Sequence, residues 1–192
     1  MLSVSEFLSA IEEIASENPS YRKGGSGFDG TCDCIGLIIG AIQRCGGKWS
    51  GIHGSNWAAR NEVSDLRKIT SNSDLSVGDL VFKAIAPGRP GNDLPSRYNS
   101  HPDKNDYYHI GVVQSVYPIR IRHMTTPAVQ TDTKLGAWTY HGWCKQVRKE
   151  KQNNPDSDVG INVERLHACL VERSKTSSKP SIKSPVAAAS VR

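Results

Sequence analysis

The stretch Gly30-Thr31-Cys32-Asp33-Cys34-Ile35-Gly36-Leu37-Ile38-Ile39-Gly40-Ala41-Ile42-Gln43-Arg44 decides how this chain is read. Its apolar residues fall on two neighbouring helical stripes. Ile35, Ile38, Ile39 and Ile42 make one, and Cys34, Leu37, Ala41 and Cys45 make the other. A helix that is apolar on two sides belongs inside a fold. The spacing therefore predicts a buried central helix over about Asp33 to Arg44, stopped by Gly46-Gly47. Cys34 falls in its first turn. Free amides and the helix dipole favour negative charge there, which predicts a stabilised thiolate and a candidate nucleophile. A small core cysteine is the competing reading of the same position.

Working outward, Ser3 and Glu6 have capping-box spacing ahead of Phe7, Leu8, Ile11, Ile14 and Ala15, so a first helix should run to about Asn18-Pro19. A glycine-rich loop, 24–30, separates the two helices. Residues Ser55 to Leu66 read as a shorter helical segment, and Gly78-Asp79 opens a strand at Leu80-Val81-Phe82-Lys83. The polar, proline-bearing stretch 86–106 reads as a long functional loop. Strands are expected at Tyr108–Val116, Ile119–Met124 and Ala137–Val147.

The hairpin offers a base for the thiol. His109, Gly111, Val113 and Ser115 share one strand face, as do Ile119, Ile121 and His123 on the next strand. A turn centred near Val116 sets His109 opposite His123, with Cβ atoms roughly 5 Å apart. Gly111 would let the cysteine helix approach closely. Nucleophile, base and a group orienting the base make a recognisable set. Two histidines in isolation are otherwise structural or surface residues.

Composition limits the rest. The 192 residues are 37% hydrophobic and 22% charged, which fits one packed domain plus an extension. No apolar run approaches the ~20 residues of a membrane-spanning helix. The N-terminus lacks a cationic start and soon reaches Glu12 and Glu13, so no secretory signal is expected. Four of the five net positive charges lie within residues 172–192, which leaves a near-neutral body and argues against a nucleic-acid-binding core. That basic tail could touch an anionic polymer weakly. Cys32, Cys34, Cys45, Cys144 and Cys169 are odd in number and sparse, so at least one thiol stays free.

Four motifs in order resemble the NlpC family of cell-wall cysteine peptidases. They are Tyr21-Arg-Lys-Gly-Gly25, Phe28-Asp-Gly-Thr-Cys-Asp33-Cys34-Ile35-Gly36-Leu37, Val77-Gly-Asp-Leu-Val-Phe82 and His109-Ile-Gly-Val-Val113. Arg120-Ile-Arg-His123 is similar to the strand carrying the family's third polar residue. The resemblance covers about residues 5–147. It implies an α+β, papain-like fold with the nucleophile helix packed on an antiparallel sheet. It also implies Cys34 as nucleophile, His109 as base and His123 as the group holding its tautomer. Tyr21 would help polarise the attacked carbonyl, and Asp33 would take part in binding the substrate's free amine. No metal or cofactor is implied.

The implied reaction is hydrolysis of peptidoglycan stem peptides, commonly between γ-D-glutamate and the diamino acid, by a lysin released on lysis or carried by a phage. Ile35 stands where the family has serine, the spacer before Asp33 differs and the 86–106 loop is longer. Those departures bear on which bond is cut. The domain would span 1–150, with a linker or small extension at 151–173 and a basic, disordered tail at 174–192.

Other readings stay open. They are zinc held by Cys32, Cys34 and a histidine, an amidase or acyltransferase on the same scaffold, and a non-catalytic tail or wall-binding module. Trp138, Tyr140, His141 and Trp143 read as packing residues, and so do His53 and Trp57.

Overall fold

Ser3 caps the first helix reciprocally. Its hydroxyl accepts from the Glu6 amide at 3.1 Å, and the Glu6 carboxylate accepts from the Ser3 amide at 2.8 Å. Helix α1, Val4–Ser16, follows and buries Phe7, Ala10, Ile11 and Ile14. Helix α2, Cys34–Arg44, packs beside it and is buried from Cys34 through Ile42, as its two stripes require. Between them, β1 (Ser20–Tyr21) and β2 (Thr31–Cys32) pair in parallel and bracket the glycine-rich loop. Gly36 and Gly40 let that loop lie directly on α2. A Cβ on either would collide with the carbonyl of Gly25 or Ser26.

These features belong to a computed structural model that describes residues 1–149. Met1–Glu150 forms one compact unit. The expected 151–173 extension and the 174–192 tail, with His167 and Cys169, lie outside the described residues.

A six-stranded antiparallel sheet completes the α+β fold. Its strands are β3 (Val63–Lys68), β4 (Leu80–Ile85), β5 (Asp106–Val116), β6 (Ile119–Met124), β7 (Val129–Asp132) and β8 (Trp138–Cys144), in the order β3-β8-β4-β5-β6-β7. The helices cover one face, where Phe7, Leu37, Ile38 and Ile42 meet Leu80, Phe82, Ile110 and Val112. Val81, Val113, Ile121 and Trp138 pack together in a second cluster. Among the described residues no helix is long and apolar enough to cross a membrane.

Several expectations are corrected. The helical segment after Ser55 is one turn, Ser55–Trp57, continued as a π-helix over Ala58–Glu62. Val63 onward is strand instead, because Val63 and Ser64 find partners in Cys144 and Trp143 of β8. Sheet pairing overrides a weak helical pattern. The short polar strand β7 was not expected. The late strand is shorter than Ala137–Val147, and Val147 pairs with Leu2 in an isolated bridge.

The hairpin register also differs. Val112 pairs with Arg122 and Val116 with Ile119, with an irregularity between Val113 and Ser115. His109 is therefore diagonal to His123, not opposite it. Gly111 admits Trp138 rather than the cysteine helix, since a Cβ there would come within 2.9 Å of the indole and 3.0 Å of the Ile121 side chain.

Candidate active site

The ladder between β5 and β6 stops at Val112, so the Asp106–Gly111 half of β5 pairs with β4 alone. The backbone of Ile110 comes close to the Cys34 sulfur instead and, with the amides of Ile35 and Cys34, favours its charged form. The start of α2 thus meets the sheet one residue from His109. Cys34 is 8% exposed. Burial, and next the Asp33 carboxylate, push its thiol up to about 11 despite those amides. The expected resting thiolate is therefore replaced by a neutral thiol. Desolvation and the charge of the cap outweigh the helix terminus.

Asp33 is the N-cap of α2. It accepts from the Gly36 amide at 2.7 Å and the Gly24 amide at 2.6 Å, and His53 Nε2 lies 2.9 Å from each carboxylate oxygen. Burial pushes this carboxyl up, but His53 and the two amides hold it below the usual range. An incoming amine would have to displace His53. His53, read from sequence as local packing, is thus bound to the cap of the cysteine helix. Tyr21 flanks the same spot on β1, and its phenol is raised by burial and by the nearby Cys34, Asp33 and Cys32. Cys32 is buried, donates to the Asp33 carbonyl at 3.3 Å and is pushed up to about 12, chiefly by burial.

On the sheet side, His109 Nε2 and His123 Nδ1 are 2.9 Å apart, with the rings edge to face and their centroids 5.0 Å apart. The longer diagonal between strands is spanned by two imidazoles in line. Burial, then His123 and Lys83, push His109 down to about 4. His123 is 3% exposed and is lowered chiefly by burial, which Asp132 opposes. Trp138 packs against both rings, at 5.4 and 5.3 Å between centroids. The described residues hold no hydrogen bond between Cys34 and His109. His109 and His123 are joined to each other, while Cys34 stands apart from both.

The approach to β5 is pinned. Arg60 donates to the carbonyls of Asp103 and Asn105 at 3.0 and 2.8 Å, and Asn56 donates to Asp106 at 2.7 Å. The long 86–106 loop is anchored in this way just upstream of His109.

Asp132, Trp138 and Lys83 were not identified from sequence as site residues. Asp132 lies on the unforeseen strand β7, and only the aromatic clustering near Trp138 hinted at that position. Among the described residues no group of three His, Cys, Asp or Glu side chains is placed to hold a metal ion, so the zinc set of Cys32, Cys34 and a histidine is not assembled. Compared with known proteins, the chain matches no family model and no curated sequence.

Proposed function

We propose that this protein is a papain-like cysteine hydrolase of the NlpC type, cutting peptidoglycan stem peptides at the bond between γ-D-glutamate and the diamino acid. One observation carries the reading. Cys34, at the start of a buried helix, lies close to the backbone of Ile110, the residue beside His109, and Nε2 of His109 is already engaged by His123. That leaves Nδ1 of His109 to exchange protons.

Thiol and imidazole are both neutral near pH 7, so the proton moves during the attack rather than before it. Cys34 gives its S–H proton to His109 Nδ1 as the sulfur bonds the carbonyl carbon. The oxyanion lies against the Cys34 amide and the Tyr21 hydroxyl. On collapse the C–N bond breaks, and the departing amine takes the proton from His109. Water, deprotonated by the same imidazole, then cleaves the thioester, releasing the acid and restoring the thiol.

The test is digestion of peptidoglycan by wild type and Cys34→Ala, with fragments identified by mass spectrometry. New ends at that stem-peptide bond are expected from the wild type only. Ends between muramic acid and L-alanine would favour the amidase alternative. Equal fragments from both proteins would overturn the thiol mechanism.

A further inference from the structure

Behind His123 stands a carboxylate that the three-residue site leaves unused. We propose that Asp132, held in place by Trp138 and Lys83, is a positioning residue that fixes the tautomers of both histidines and leaves the lone pair of His109 on Nδ1. Its use in catalysis rests on the hydrolase reading above. The tautomer assignment itself rests on geometry.

Nε2 of His123 has no hydrogen bond of full geometry, and its polar contact is Asp132 Oδ2 at 3.4 Å. A lone pair aimed at a carboxylate is repelled and an N–H is attracted, so the proton belongs on Nε2. A neutral imidazole has one donor and one acceptor, so Nδ1 of His123 then accepts. Its partner at 2.9 Å, Nε2 of His109, must donate. The remaining nitrogen of His109, Nδ1, carries the lone pair that a thiol proton needs. Reversing both tautomers puts a lone pair against the carboxylate and blocks the base with a proton.

Asp132 is itself held by donors only. The Trp138 indole N–H donates to Oδ2 at 2.9 Å, and Lys83 Nζ lies 3.4 Å from the same oxygen and 4.5 Å over the indole ring. Whatever faces them must accept. In Asp132→Asn the amide oxygen therefore takes that place, keeping the acceptor toward His123 and losing only the charge. Asp132→Ala loses both. The charged and titratable groups around the two imidazoles are Asp132 from β7, Lys83 from β4 and Arg122 from β6.

The test uses full-length protein with 15N-labelled imidazoles. Long-range proton–nitrogen correlation at pH 7 reads each tautomer directly. The expected spectrum has Nε2–H on both His109 and His123, kept in Asp132→Asn and mixed in Asp132→Ala. In parallel, kcat on peptidoglycan should fall on the order of 10²-fold in Asp132→Ala, the scale of general-base catalysis. KM should hold, and Asp132→Asn should recover most of the rate. A proton on Nδ1 of wild-type His109 overturns the proposal whatever the variants do, and unchanged tautomers in a folded Asp132→Ala do the same. The expected tautomer changes without any wall hydrolysis support the role of Asp132 and count against the hydrolase reading alone.

Discussion

Two buried histidines in this sheet face a carboxylate, and they end differently. His141 is 2% exposed and closed at both nitrogens. Nδ1 lies 2.9 Å from Asp79 Oδ2, and Nε2 accepts from Arg67 at 3.0 Å. It fastens β8 to β3 and to the turn before β4, and no ring nitrogen is left to act. His123 is as deeply buried, but its contacts lead outward through His109 to a nitrogen with no hydrogen bond among the described residues. Burial and an aspartate do not distinguish a fastener from a relay. What distinguishes them is whether the chain of donors and acceptors closes.

Substitution should separate the two. His123→Ala should lower wall hydrolysis on the order of 10²-fold in steady-state assays while the protein stays folded. His141→Ala takes a partner from the buried Asp79, and should lower unfolding free energy by about 2 kcal/mol in urea titrations. Turnover per folded molecule should be unaffected. If the two variants behave alike, the contrast is broken.

A smaller effect should appear in stability against pH. His109 binds its proton only near pH 4 when folded, whereas an unfolded histidine binds it near 6.5. Between those values the unfolded chain holds more protons, so stability should fall as pH drops from 6.5 toward 4. His109→Gln should flatten that slope in urea midpoints measured across the interval. An unchanged slope would mean that His109 is not the group responsible.

The smallest effect concerns the cysteine side. Asp33→Asn keeps an N-cap of equal quality and removes a negative charge beside the thiol. Alkylation of Cys34 by iodoacetamide at pH 8 should speed up several-fold, as expected for a lowered thiol pKa. A rate unchanged or slower would show that Asp33 does not raise this thiol.

Both helices and the main strands were legible because their signals are local. The Ser3–Glu6 cap, the double stripe of α2 and the alternation of β5 and β6 each lie within one segment. Cys34 is a candidate by its place in the first turn of α2, His109 and His123 by that alternation, and all three by the family resemblance. What escaped depends on pairing across the fold. Strand β3 exists because β8 accepts it. Strand β7 is four half-polar residues, too short to announce itself, and Asp132 went unseen with it. The turn falls between Val116 and Ile119 rather than at Val116, and together with the irregularity between Val113 and Ser115 this sets His109 on the diagonal. A position in sequence displays the helix terminus but not the depth of burial, which here raises the Cys34 thiol.

The most direct test of the central claim is to catch the acyl-enzyme. Wild-type protein would be mixed with a soluble stem peptide, quenched in acid within the first turnover, digested and mapped by mass spectrometry. The account predicts a thioester adduct on the peptide carrying Cys34, absent in Cys34→Ala and strongly reduced in His109→Ala. Cleaved substrate with no adduct, formed equally well by Cys34→Ala, would contradict it.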